Sequence, residues 1–241
     1  TMYHVMLRTR REPDYDLSSM RVAVSGGAPM PIEVLRGFEE RFGVVLLEGY
    51  GPTEASPVVS VNPLRGVRKL GSVGPPIPGV EVRVIDEERR ELPVGEVGEL
   101  CVRGPNVMLG YWNAPEATAE TIVDGWLRTG DMARLDEDGY IYIVDRKKDM
   151  IIVGGMNVYP REVEEVICQV PGVADAAVVG IPSGVKGEDV VAYVVPQEGA
   201  QLETAEVLEH CRRRLAPFKL PREVVVTADL PRTAVGKVLR R

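Results

Sequence analysis

The hydrophobic period of this chain changes twice between Arg21 and Gly49, and no other feature constrains its fold as tightly. Arg21-Val-Ala-Val24 alternates and ends in Ser25-Gly-Gly27, a tight-turn signal. Pro31 suits a first helical position, and Ile32, Leu35, Phe38 and Phe42 then recur at helical spacing before Gly43 offers a left-handed stop. Val44-Val-Leu-Leu47 is a continuous apolar run, as in a strand buried on both faces. Strand, helix, strand at this spacing is one βαβ unit, and its two strands must be parallel. The expectation is the closing piece of a larger parallel sheet that begins before residue 1.

Beyond residue 64 the character changes. Short β-rich runs at 80–85, 98–102 and 140–144 are separated by Gly, Pro and Asp turns. Gly71-Ser-Val-Gly-Pro-Pro-Ile-Pro-Gly79 is too proline-rich for a helix or a central strand. A small antiparallel sheet or barrel-like subdomain is expected here. After Lys148 the pattern is α+β. A helix is predicted over 160–170, with Val163, Val166, Ile167 and Val170 on one face, and strands over 173–180, 190–195 and 223–227. Thr204 is expected to cap a helix carrying Leu208, Cys211 and Leu215. The charged string Asp145–Asp149 lies between two compact patterns and marks a boundary. The predicted class is α/β plus α+β. Residues 1–64 end an α/β domain, 65–144 form its β-rich subdomain, 145–150 are a hinge, and 151–241 are a small α+β domain.

Bulk properties exclude several functions. A formal net charge of −7 leaves no basic surplus for phosphate backbones, so no nucleic-acid partner is expected. Hydrophobic content of 44% and charged content of 27% are those of an ordinary soluble protein. No apolar run reaches the ~18 residues of a membrane span and no signal peptide is visible, which leaves room only for peripheral membrane association. Cys101, Cys168 and Cys211 show no metal or disulfide spacing, which fits a cytoplasmic location, and Cys168 and Cys211 read as core residues. His4 and His210 have no evident partners and read as structural or solvent-exposed. The chain opens on Thr1-Met-Tyr-His without an initiator Met and stops in a basic string at Arg241, so it reads as a fragment. An uncovered edge strand near Val22 makes self-association, as a homodimer, an expectation.

Four strings occur in a fixed order: Glu48-Gly-Tyr-Gly-Pro-Thr-Glu54, Leu127-Arg-Thr-Gly-Asp131, Asp145-Arg-Lys-Lys-Asp149 and Leu230-Pro-Arg-Thr-Ala-Val-Gly-Lys237. Each has a plain structural reading. Gly-Pro-Thr-Glu makes a surface turn, Thr-Gly-Asp another, the charge run is a solvated face, and a lone Gly-Lys means nothing. Together they resemble the adenylate-forming superfamily of acyl-CoA ligases, luciferases and peptide-synthetase adenylation domains, and most resemble bacterial medium- and long-chain fatty acid–CoA ligases.

That resemblance implies a two-step ligation in which ATP and a carboxylic acid give acyl-AMP, and CoA then takes the acyl group. Attack of a carboxylate on the α-phosphate brings two anions together, so the site must supply positive charge, Mg²⁺ and orientation. The resemblance implies that Thr53 meets phosphate, that Glu54 holds the metal, and that Glu48, Gly49, Tyr50 and Gly51 border adenine and the acyl group. Gly49 and Gly51 would let the backbone approach the nucleotide. Gly26, Gly27 and Ala28 supply adenine contacts. Asp131 accepts from both ribose hydroxyls, a task suited to a carboxylate. Arg146 is a fork-shaped donor to ribose or phosphate, Lys148 is the hinge, and Lys147 and Asp149 belong to the solvated run. Gly154 and Gly155 allow the narrow channel a pantetheine arm needs, or else serve only as a glycine-mediated helix entry. The resemblance makes Lys237 the catalytic cation, a compact ammonium for charge developing at the α-phosphate.

The Ser/Thr/Gly-rich phosphate loop of that superfamily does not occur in these 241 residues and is expected upstream. The isolated chain is therefore expected to form adenylate poorly. Two alternatives stay open: a ligase for an aryl, malonyl or amino acid, and a non-catalytic module that binds nucleotide through a half-site.

Overall fold

The computed structural model describes residues 2–9, 18–28, 30–184, 187–233 and 238–240. The chain forms two compact units, residues 1–143 and 144–241.

The first unit opens with helix α1 (Met2–Arg8), strand β1 (Val22–Ser25), helix α2 (Ile32–Phe42), strand β2 (Val45–Tyr50) and the short strand β3 (Ser60–Val61). β1 and β2 are parallel, with Val22 opposite Val45 and Ser25 opposite Glu48, as the crossover helix demands. Pro31 is the cap of α2 rather than its first residue. Gly43 ends the helix at φ 63°, its N–H donating to Glu39 O at 2.9 Å. Val34, Leu35 and Phe38 pack inward from α2 onto Ala23, Val44 and Leu46. Tyr3 meets Phe38 edge-on with ring centroids 4.9 Å apart, and its hydroxyl donates to Val24 O at 2.6 Å. Arg41 gathers the last carbonyls of α1, donating to Leu7 O at 2.6 Å and Thr9 O at 2.8 Å. Among the described residues β1 is a sheet edge, with Val24 exposed.

A second sheet follows, built from β4 (Glu81–Ile85), β5 (Gly98–Arg103), β6 (Ile122–Val123), β7 (Trp126–Leu135) and β8 (Ile141–Arg146). Its order is β4-β5-β7-β6, with β8 also on β7, and the β4–β5, β5–β7 and β6–β7 pairs are antiparallel. Two elements here depart from the sequence reading. Helix α3 (Pro115–Thr121) starts on Pro115, and β7 runs straight through Arg128-Thr-Gly-Asp131, where a turn was expected. The turn residues are real, but they make a bulge: Cys101 opposes Arg128 and Glu99 opposes Met132, so Leu100 faces three residues, and Gly130 takes φ 69°. The core of this sheet is Val84, Leu100, Val102, Leu127, Ala133 and Ile141. Trp126 packs against this sheet, with the guanidinium groups of Arg83 and Arg103 at 4.2 and 4.5 Å from its ring centroid.

The second unit contains β9 (Ile151–Val153), β10 (Met156–Val158), α4 (Pro160–Ile167), β11 (Val173–Ser183), β12 (Gly187–Pro196), α5 (Thr204–Arg212) and β13 (Glu223–Val226). The sheet order is β10-β9-β12-β11, with β13 parallel to β12. Both helices feed one core, in which Val163, Ile167, Val178, Ala192, Val194, Val207 and Cys211 are wholly buried. Each such valine or isoleucine side chain contributes about 1.5–3 kcal/mol of burial.

Four local expectations are corrected in this unit. Thr204 is the first residue of α5 and Glu203 its cap, without a side-chain cap hydrogen bond. Cys168 is exposed, because it lies off the face on which Val163, Ile167 and Val170 are buried. Gly154 and Gly155 are not a helix entry but the two-residue turn of the β9–β10 hairpin, at φ 58° and 81°. Asp149 is not a solvated charge, since its carboxylate lies 3.6 Å from Arg240 Nη1.

Candidate active site

The residues at the end of β2 are held by their own chain. Val59 N–H returns to Tyr50 O at 2.8 Å, and Asn62 N–H to Glu48 O at 2.8 Å. Gly51 is required by this closure: a Cβ there would lie 1.8 Å from Pro57 O. A Cβ on Gly49 would sit 3.1 Å from Ser60 O. Both glycines thus serve the turn itself, a reason absent from the sequence reading. Thr53–Ala55 then forms one 3₁₀ turn, and Ala55 and Val59 are completely buried in the core of the second sheet. Thr53 and Glu54 therefore ride on a turn pinned at both ends.

A second loop braces the first. Asn106 donates its amide to Ala55 O at 3.0 Å and Val58 O at 2.8 Å, and Met108 N–H donates to Glu54 O at 2.8 Å. From the same loop Tyr111 donates its hydroxyl to Glu54 Oε1 at 2.8 Å. That hydrogen bond to a carboxylate raises the Tyr111 phenol above its ordinary value, with burial adding to the shift. Thr53 is exposed and Glu54 half-buried.

Tyr50 and Asp131, far apart in sequence, are joined by a 2.5 Å hydrogen bond from the Tyr50 hydroxyl to Asp131 Oδ2. The β7 bulge aims that carboxylate. Thr129 Oγ1 donates to Leu100 O at 2.8 Å and accepts from Asp131 N–H at 3.1 Å. Beside it Arg128 donates to the buried Glu99 carboxylate at 2.7 Å, and this hydrogen bond raises the arginine above its ordinary value. A cleft of about 380 Å³ opens among Pro52, Glu54, Glu99, Tyr111, Arg128 and Gly130.

Gly26 lies against the same strand end, since a Cβ on it would be 3.3 Å from Gly49 O. Gly27 is left-handed at φ 78°, and Gly26, Gly27 and Ala28 are exposed at the carboxyl end of β1. Ligands in open parallel sheets bind at such strand ends. Glu48 is buried, opposite Ser25 in the register. Within the first unit, then, Gly26, Gly27, Ala28, Glu48, Gly49, Tyr50, Gly51, Thr53, Glu54 and Asp131 share one region. Arg146, Lys148, Gly154 and Gly155 belong to the second unit and are all exposed. Lys237 lies outside the described residues.

Carboxylates dominate the cleft, so a polyanion needs added positive charge to bind there. Among the described residues no group of three His, Cys, Asp or Glu side chains is placed to hold a metal. Mg²⁺ does not need one, because it keeps waters and takes one or two carboxylates alongside substrate phosphates. Glu54 fits that requirement. Burial pushes the Cys101 thiol up to about 11, which removes it as a nucleophile. No described helix is long and apolar enough to cross a membrane. Sequence reasoning missed Asn106, Tyr111 and the Arg128–Glu99 pair. The aromatic run Gly110-Tyr-Trp-Asn113 was the available signal, but nothing in it names a partner 57 residues away.

Comparison with known proteins bears on the family. The AMP-binding enzyme family matches residues 1–112, and the AMP-binding enzyme C-terminal domain matches residues 162–237. A long-chain-fatty-acid–CoA ligase of Bacillus subtilis (strain 168) is 48% identical over 242 residues, covering all of this chain and 43% of the relative. A feruloyl-CoA synthase of an Amycolatopsis species is 44% identical and is covered to 49%. The crystal structure of ATP-bound MatB from Rhodopseudomonas palustris superposes with a TM-score of 0.92 at 42% identity, over 98% of this chain and 47% of that one. The chain thus spans about half the length of the relatives it matches. Motifs, fold and comparisons place the chain in the AMP-binding enzyme family, the adenylate-forming superfamily.

Proposed function

We propose that this chain supplies the carboxyl-terminal portion of an ATP-dependent, cytoplasmic fatty acid–CoA ligase. A carboxylate oxygen of the acid attacks the α-phosphorus of ATP, and pyrophosphate leaves with the electron pair of the broken P–O bond. The CoA sulfur then attacks the acyl carbon, the thiol proton is lost, and AMP departs. The observation that carries this reading is the 2.5 Å link from Tyr50 to Asp131, which joins two of the four strings, whose Pro52, Glu54, Arg128 and Gly130 line one carboxylate-bearing cleft.

In this reading Asp131 accepts from the ribose hydroxyls while Tyr50 fixes its orientation. Thr53 donates to a phosphate oxygen. Gly26, Gly27 and Ala28 lie beside adenine, and Glu48, Gly49 and Gly51 shape the floor between adenine and the acyl group. Glu54 would hold Mg²⁺ together with the nucleotide phosphates, and the ion, when bound, offsets their negative charge. Lys237 neutralises charge at the α-phosphate during the first step. The domain that begins after the 145–150 hinge then turns about Lys148, withdrawing Lys237 and bringing Gly154 and Gly155 to admit the pantetheine arm, while Arg146 contacts ribose or phosphate. Such rotations commonly limit turnover.

Fatty acid is the first choice of substrate because a relative of that activity is 48% identical across the whole chain. An aryl acid is the second, favoured by the feruloyl-CoA synthase at 44%. The test is carboxylate-dependent ATP–pyrophosphate exchange by this chain and by one extended toward its amino terminus. Acids are acetate, octanoate, palmitate, benzoate and ferulate, with Lys237→Ala as control. Exchange by the extended chain, strongest with palmitate and lost in Lys237→Ala, supports the reading. A preference for ferulate moves the substrate to the aryl class. Nucleotide binding without exchange for any acid overturns the ligase assignment.

A further inference from the structure

The second unit contains a buried charge cluster that no step above uses. Arg240 donates to Glu164 through Nη2 at 2.6 Å and Nε at 3.1 Å, and its Nη1 lies 3.6 Å from both Asp145 Oδ1 and Asp149 Oδ2. One cation thus faces three carboxylates. The side chains of Asp145, Asp149 and Glu164 are only 3%, 13% and 14% exposed, so solvent screens little of their mutual repulsion.

Each carboxylate is also fixed to a different part of the unit. Glu164 Oε1, on α4, accepts from Val178 N–H of β11 at 2.8 Å. Asp145 accepts from Arg146 N–H and from Arg161 N–H, both at 2.8 Å, which ties the boundary string to the first turn of α4. Asp149 closes the short 3₁₀ turn Lys147–Asp149. The Arg240 guanidinium therefore fastens the tail where the boundary string, α4 and β11 converge. The tail is also held from its other side. Arg232 pairs with Asp175, residues 232 and 238 form a β-bridge, and Leu239 N–H donates to Pro231 O at 2.8 Å.

We propose that Arg240 is a positioning residue: it fastens residues 238–240 to the boundary string Asp145–Asp149, to α4 and to β11, so that this stretch, which directly follows Lys237 in sequence, moves with the hinge. The inference rests on the ligase reading for its kinetic consequence, though not for its structural one. Only a guanidinium supplies a planar fork that spans three acids, and a lysine would satisfy at most part of the cluster.

Two measurements test it. On the chain itself, a lysine-specific protease reads how firmly the tail is held. Arg240→Met should release the peptide following Lys237 roughly ten-fold faster than the parent. Equal release by parent and Arg240→Met overturns the proposal whatever the enzyme does. In the extended chain the half-reactions are measured separately. Arg240→Met should lower pyrophosphate exchange at least about ten-fold, while thioester formation from supplied acyl-adenylate, which does not use Lys237, changes less than about two-fold. Equal loss in both half-reactions, or in neither, overturns the positioning role. If Arg240→Met does not fold, Arg240→Met combined with Glu164→Gln removes one of the three facing acids and is judged by the same criteria. Absence of both half-reactions in the parent would count against the ligase reading alone, and the protease comparison would still decide the anchor.

Discussion

Tyr50 does two jobs at the scale of a single residue: its backbone closes the turn that carries Thr53 and Glu54, and its hydroxyl orients Asp131. Tyr50→Phe removes only the second. A hydrogen bond to a carboxylate is worth about 1.5–3 kcal/mol, so AMP affinity should fall by roughly ten-fold or more and the thermal midpoint should fall with it. Calorimetric titration of AMP into the chain checks this, and equal affinity would remove Asp131 from the ribose role. Gly51→Ala is the opposite case. Its Cβ would meet Pro57 O at 1.8 Å, so the turn must shift, with a cost of about 1–3 kcal/mol that denaturant titration should register. The motif around Gly51 was legible in the sequence, but the reason for the glycine was not. It depends on where the chain returns six residues later.

At the scale of elements, local patterns with a single period were read well, and composite ones were not. The βαβ unit, the apolar face of α4 and the Gly43 stop all follow from neighbours in sequence. The bulge in β7 and the β9–β10 hairpin do not, because Thr-Gly-Asp and Gly-Gly are turn signals and only pairing partners show which kind of turn they make. Gly155→Ala should cost about 1–2 kcal/mol, since φ 81° is left-handed. Chemical denaturation measures that loss, and an unshifted midpoint would deny the hairpin. Acid should act on the turn that precedes β8. Burial pushes the Asp136 carboxyl up, but hydrogen bonds from Lys69 and from the Tyr140 and Asp138 amides outweigh it and hold it below its ordinary value. A carboxyl depressed in the folded state adds stability above its unfolded value of about 3.9, and that stability is lost as pH falls toward the folded one. Lys69→Met should flatten the stability profile between about pH 5 and pH 2, measured by thermal melting.

At the scale of the whole molecule, two compact units, each with its own buried clusters, imply two separable stabilities. Ile167 is wholly buried in the second unit, so Ile167→Ala should lower that unit's melting transition by about 2–5 kcal/mol and leave the first unit's in place. Scanning calorimetry showing both transitions moving together would sink the expectation of independent cores.

The sequence by itself determined the class of fold, the βαβ unit and the family, because period, turn residues and motif strings are all local and survive without coordinates. Tertiary structure alone decided the pairings that make a site. Tyr50 with Asp131, Tyr111 with Glu54, and Arg240 with Asp145, Asp149 and Glu164 are joined across 57 to 95 residues. The reason is physical. A hydrogen bond depends on a few ångströms of approach, and strand register, bulges and loop returns set that approach at a distance no local pattern records.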